Sequence, residues 1–267
     1  MATLVCFHAH PDDESIITAG LMIRAAARGH RVVLVVATRG EHGEVVPGVL
    51  DDGEQLGVRR VAETFAAAEV LGVSRVELLG YVDSEMMGEP ENDAPYSFWS
   101  VDVDTAAARL AAILVEESAD VLTIYDDHGG YGHPDHIQVH RVGARAAQLA
   151  GTAHVYEATM NRDAFVEMSA VAFADGAADD LGIEAPTLGD DFGSRRAVIT
   201  HELDVSDLAE TKRKAMQAHP SQIADDSFFL AMPPELFAAA FGTESFIEHG
   251  SSNDAGPVLV DLLPGLD

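Results

Sequence analysis

One cysteine, Cys6, stands in 267 residues, so no internal disulfide can form. The apolar run around it reads as a buried strand, and such a chain suits a reducing cytosol. Lysine is nearly absent, with Lys212 and Lys214 as the only two. Against 45 acidic residues there are 16 basic ones, for a formal charge of −29. A chain this acidic, with no basic cluster, repels nucleic acid and anionic lipid and excludes both as partners. No stretch approaches the roughly 18 uncharged apolar residues that span a bilayer. The start, MATLVCFHAH, lacks both a basic region and a long apolar core, so no signal peptide and no membrane association are expected. Also missing is a Gly-x-Gly-x-x-Gly turn after the first strand. Acidic residues stand where a pyrophosphate would sit, which excludes a dinucleotide-binding module. The acidity reads as solubility, and the sequence is open to a homo-oligomer.

What is present begins with a hydrophobic content of 47%, enough for a sizeable core. Short β-type runs alternate with longer helical patterns. Strands are predicted at 4–7, 31–37, 75–79, 121–125 and 154–159, with helices at 14–28, 54–71, 105–117 and 135–149. The pattern weakens later: 175–196 is acidic and glycine-bearing, 198–203 reads as a strand and 207–218 as a helix. This alternation predicts an α/β fold with a Rossmann-like, mostly parallel sheet and helices on both faces. No repeat or low-complexity linker divides the chain, so one domain is expected over 1–250, followed by a loosely docked tail, 251–267. The long segment 84–100 carries Met, Tyr, Phe and Trp and reads as a lid over a site.

In open α/β sheets, ligands bind beyond the carboxyl ends of the strands. Two clusters rich in imidazole and carboxylate fall at such ends. His8-Ala9-His10-Pro11-Asp12-Asp13-Glu14 follows the first strand, and Asp126 through His136 follows the fourth. One tight turn can aim His10 and Asp13 at a single cation, with His136 completing a His₂Asp set. Catalytic zinc takes three protein ligands and keeps a fourth position for water. Asp12 and Asp13 are adjacent and cannot easily share one role, so one can ligate while the other stays free to take a proton from that water. A two-metal phosphatase or nuclease would need a second ligand set, and none is evident.

At these residues the chain resembles the PIG-L/LmbE-like N-deacetylase family. The shared motifs are AHPDDE (Ala9 to Glu14) and HPDH (His133 to His136), together with Thr38 to Glu44, Arg60 to Glu63 and Lys214 to Gln222. The string GGYGHPDH is most similar to the mycothiol-pathway branch, which acts on glucosaminyl-inositol compounds. The resemblance implies an LmbE-like fold and a zinc-dependent hydrolase that removes an N-acetyl group from an amino sugar such as an N-acetylglucosaminyl derivative. Zn²⁺, or another divalent ion such as Fe²⁺, is implied at His10, Asp13 and His136, with Asp12 as general base. It further implies charge stabilisation by His133 with Asp135 orienting it, polarisation of the acyl oxygen by Tyr131, and contacts from Arg60 and Asp83 to substrate hydroxyls. His219 and Gln222 belong to a motif near the site with no assigned role. The alternatives are a mycothiol S-conjugate amidase and a non-catalytic metal- or sugar-binding relative. Ile17 is apolar where some members of that branch carry a polar side chain, which counts against the first, and Asp12 counts against the second.

Overall fold

A computed structural model describes residues 1–174, 189, 192–251 and 255–267. The apolar runs become strands β1 (Thr3–His8), β2 (Arg31–Val36), β3 (Arg75–Leu78), β4 (Val121–Tyr125) and β5 (His154–Thr159). Their connections are helical: α1 (Asp13–Ile17), α2 (Ala19–Ala27), α3 (Leu56–Leu71), α4 (Val103–Glu116), a distorted single turn α5 (Gly129–Gly132) and α6 (Pro134–Ala150). After β5 come α7 (Arg162–Ala174), β6 (His201–Asp204), α8 (Ala209–Gln217), α9 (Pro234–Phe241), β7 (Thr243–Glu248) and β8 (Val258–Val260).

The strands form one sheet in the order β3-β2-β1-β4-β5-β7-β6-β8. The first five are parallel, and β7 runs antiparallel to both of its neighbours. This is the expected mostly parallel, Rossmann-like α/β sheet. Alternation along each strand divides the core. Val5, Phe7, Val33 and Val35 pack against Leu110 of α4 and Val139 and Val142 of α6. Leu4, Cys6 and Val32 face the opposite way, onto Leu21 and Met22 of α2 and Leu71 of α3. Helices therefore cover both faces. The chain leaves β1 toward β2 on one side, while β4 lies on the other side of β1. The crevice between β1 and β4 is thus the switch point where this topology places ligands.

Three predicted elements differ. The single helix over 14–28 is two, broken at Thr18 (φ −128°). Thr18 Oγ1 bonds the buried His8 Nε2 at 2.8 Å, and the freed amides of Gly20 and Leu21 donate to the Glu244 carboxylate at 2.7 and 2.8 Å. The late strand begins at His201 rather than at 198. The tail is not loose: β8 pairs with β6, and Leu262, Leu263 and Leu266 are buried in the core. Most of the acidic stretch 175–196 lies outside the described residues.

At the amino ends of the strands, Glu117 receives Arg31 of β2 and Arg75 of β3, the latter at 2.7 Å, with the Glu117 side chain 7% exposed. The Arg31 hydrogen bond outweighs burial and lowers the Glu117 pKa to about 2. A depressed carboxylate pKa gives stability that is present above the unfolded value, about 4.3. That stability is lost as pH falls toward 2. Glu117→Gln is therefore expected to be less stable than the parent at pH 7, with the gap closing between about pH 5 and pH 2; chemical denaturation across that range measures it.

Candidate active site

The turn after β1 carries the first cluster. Asp12 sits at φ 99°, ψ −31°, in left-handed space that costs a non-glycine residue about 1–3 kcal/mol. Neighbours hold it there. Its N–H donates to Glu14 Oε2 at 3.0 Å, its carbonyl accepts from Ser15 at 3.0 Å, and Arg60 Nη2 binds both the Pro11 carbonyl and Asp12 Oδ2, the latter at 3.2 Å. Glu14 is itself fixed, fully buried, by His219 Nε2 at 2.7 Å and Ser15 Oγ at 2.7 Å. The strained turn splits the two aspartates. Asp13 turns inward, accepting the His10 N–H at 2.8 Å, while Asp12 keeps a side chain 17% exposed.

The second cluster arrives through the distorted turn after β4. Gly129 (φ +70°) has no alternative there, since a Cβ would lie 2.6 Å from His136 Cβ. Pro134 opens α6 at its first turn, and His133 caps it, Nδ1 accepting the Asp135 N–H at 3.1 Å. His136 then points inward, its ring stacked on Tyr125 at 4.4 Å.

Asp13 lies between two imidazoles, Oδ2 at 3.5 Å from His10 Nδ1 and Oδ1 at 3.5 Å from His136 Nε2. The other nitrogen of His10, Nε2, faces Asp135 Oδ2 at 3.2 Å and Asp83 Oδ1 at 3.6 Å. Asp135 is pinned in turn by Ser84, through its N–H at 3.0 Å and its Oγ. A carboxylate behind a metal-ligating histidine fixes the tautomer and raises ligand basicity. Burial alone would lower the His10 pKa, and the carboxylates of Asp13, Asp135 and Asp83 outweigh it, holding the ring well above its ordinary value. The pocket is thus electrostatically prepared for positive charge. His136 and His133 behave oppositely: burial lowers them to about 4 and about 3. Burial likewise raises Asp12 to about 6 against the pull of Arg60.

His10 Nδ1 and His136 Nε2 each stand 3.5 Å from an Asp13 oxygen, and two imidazoles with one carboxylate are a donor set that fits a divalent metal. His10, His133 and His136 bring donor atoms within 4.8 Å of one another. Because His133 Nδ1 accepts a backbone N–H, a neutral ring carries its proton on Nε2, where it can donate a hydrogen bond. The open side of this cluster meets a cavity of about 430 Å³ bordered by Asp12, Asp13, Tyr131 and His136 and walled by Ile16, Phe165, Phe192, Phe228 and Phe241. Tyr131 is half-exposed, and its hydroxyl stands 3.4 Å from His136 Nε2.

The sequence-predicted residues His10, Asp12, Asp13, Tyr131, His133, Asp135 and His136 all meet at this point. Some predicted partnerships differ. The Asp135 carboxylate orients His10, while its backbone amide alone touches His133. Arg60 is 3% exposed and clamps the loop from beneath, with Nη1 donating to the Gly40 carbonyl at 2.9 Å. That position leaves it turned away from the open side. Asp83 is buried behind His10, accepting the Glu85 N–H at 2.9 Å. The segment 84–100 is tied down by Ser84, by Asn92 and by the fully buried Phe98, so it buttresses Asp135 instead of covering the cavity. Sequence reasoning missed the supports Ser84 and Glu14, the latter despite its place in the motif, and left His219 without a role. Among the described residues no helix is long and apolar enough to cross a membrane.

The profile of the family described as "PIG-L: GlcNAc-PI de-N-acetylase" matches residues 5–147, which carry both clusters. A 1D-myo-inositol 2-acetamido-2-deoxy-alpha-D-glucopyranoside deacetylase from Acidothermus cellulolyticus is 40% identical, over 99% of this chain and 95% of its own. A protein of the same description from Streptomyces griseus is 42% identical over 91% and 82%. Among solved structures, the N,N'-diacetylchitobiose deacetylase from Pyrococcus horikoshii shares the fold with a TM-score of 0.58 and 24% identity, over 92% of this chain and 83% of that one. On the extent of these matches, the chain belongs to the PIG-L family of de-N-acetylases.

Proposed function

We propose that this enzyme hydrolyses the acetamide of 1D-myo-inositol 2-acetamido-2-deoxy-α-D-glucopyranoside, using zinc held by His10, Asp13 and His136. The observation that carries the reading is the division of labour in one turn. Asp13 lies between two imidazoles at 3.5 Å from each, while its neighbour Asp12 stays off that centre, facing the cavity. The description shared by relatives at 40 and 42% identity supports the substrate.

A zinc ion in this site supplies Lewis-acid activation of water and of the acyl carbonyl. Asp12 accepts the proton of the attacking water, and Arg60 holds its carboxylate in place. The Tyr131 hydroxyl and the His133 Nε2–H donate to the oxygen that gains negative charge. The proton taken by Asp12 passes to the departing nitrogen, so one water yields acetate and a free amine. Asp135, Asp83 and Ser84 act at one remove, by aiming the Nδ1 of His10.

Amine release from the N-acetylglucosaminyl-inositol substrate, set beside N-acetylglucosamine, N,N'-diacetylchitobiose and a mycothiol S-conjugate, tests the assignment. The inositol compound is expected to have the highest kcat/KM, and preference for the conjugate would overturn the substrate reading. Tyr131→Phe removes one donor to the developing oxyanion. It is expected to lower kcat about 10²-fold with unchanged zinc content, and turnover equal to the parent would remove Tyr131 from the mechanism.

A further inference from the structure

Away from the catalytic crevice a second set of donors converges from three distant parts of the chain: His140 of α6, Glu157 of β5 and His249 just after β7. We propose that these three residues form a second site for a first-row divalent cation of the zinc type. The chemistry is two imidazoles and one carboxylate, with donor atoms all within 4.8 Å of one another. Glu157 Oε1 stands 2.6 Å from His249 Nδ1 and 3.7 Å from His140 Nδ1. Zinc ligand bonds of about 2.0–2.2 Å in a tetrahedron put neighbouring donors about 3.4 Å apart. The observed separations bracket that value, so small side-chain movements suffice.

Two further features favour a cation over a plain hydrogen-bonded bridge. The side chains are neither sealed nor free: His140, Glu157 and His249 are 18, 11 and 33% exposed, which leaves an entry path from solvent. A fourth donor is at hand, since the Tyr125 carbonyl oxygen lies 3.0 Å from His140 Nδ1. Metal entry displaces the proton that His140 Nδ1 now shares with that carbonyl. The neutral ring retains its proton as the Nε2–H tautomer, and His249 responds in the same way. No carboxylate equivalent to Asp12 belongs to this triad, so it is a binding site without hydrolytic chemistry. Its neighbourhood is relevant nonetheless. The Tyr125 ring stacks on His136, and Ala158, next to Glu157, lines the catalytic cavity.

The test uses full-length protein stripped with chelator and dialysed against micromolar Zn²⁺, with bound metal counted by mass spectrometry. The parent is expected to hold two equivalents. His249→Ala, a substitution at a partly exposed turn residue, is expected to hold one and to keep deacetylase turnover. Glu157→Gln, which preserves volume, is expected to do the same. His136→Ala should also hold one, but without turnover, which separates this site from the catalytic one. One equivalent in the parent, or two retained in both His249→Ala and Glu157→Gln, would overturn the proposal while leaving the catalytic reading intact.

Discussion

Asp12→Asn is expected to lower kcat about 10³-fold, within the range a positioned general base contributes, while zinc content remains that of the parent. The amide preserves the size of the side chain and can still accept the Arg60 hydrogen bond seen at 3.2 Å, so the strained turn survives. What it lacks is the ability to take a proton from water. The two aspartates are adjacent in sequence, yet Asp13 is wedged between His10 and His136 and Asp12 is not. Asp13→Asn should therefore give the converse result, with metal lost together with activity. Loss of metal from Asp12→Asn would reassign Asp12 as a ligand, and undiminished turnover would remove it from the chemistry.

The largest effect on stability is expected at Lys212, one of only two lysines. Its ammonium is 2% exposed and meets Glu244 Oε1 at 2.8 Å, with Glu244 1% exposed. The same carboxylate accepts the N–H groups of Gly20 and Leu21, and so anchors the start of α2 and the break at Thr18. Removing one partner leaves a charge buried without compensation. Lys212→Ala is expected to cost about 3–5 kcal/mol, read from denaturant midpoints. A double substitution, Lys212→Met with Glu244→Gln, should recover part of this, because no uncompensated charge then remains. A loss below about 1 kcal/mol for Lys212→Ala would mean that water reaches the pair.

Both of these residues belong to the part of the protein that sequence reading resolved poorly. In the first 160 residues the strands are short and mostly apolar, β2 (RVVLVV) most clearly, and helices end at glycines such as Gly72 and Gly151 in left-handed geometry. Local chemistry decides those elements, and the two histidine clusters could be placed at strand ends from spacing alone. The break in the first helical segment has no local cause. It follows from His8 and from Glu244, which is more than 220 residues away. Asp135 illustrates the same limit. The family resemblance pairs it with His133, but the helix start turns its carboxylate toward His10 and Ser84. The resemblance implies a substrate contact for Arg60, and only the packed structure reveals the Pro11 and Gly40 carbonyls that engage its guanidinium. His219 acquires its role through Glu14, a partner 205 positions earlier.

The most direct test of the catalytic account is anomalous diffraction at the zinc edge from crystals of the metal-loaded enzyme. A peak is expected about 2.0–2.2 Å from His10 Nδ1, an Asp13 carboxylate oxygen and His136 Nε2, with His133 and Asp12 beyond bonding distance. A peak coordinated by His133 or Asp12 in place of Asp13, or no peak in this crevice, would contradict it.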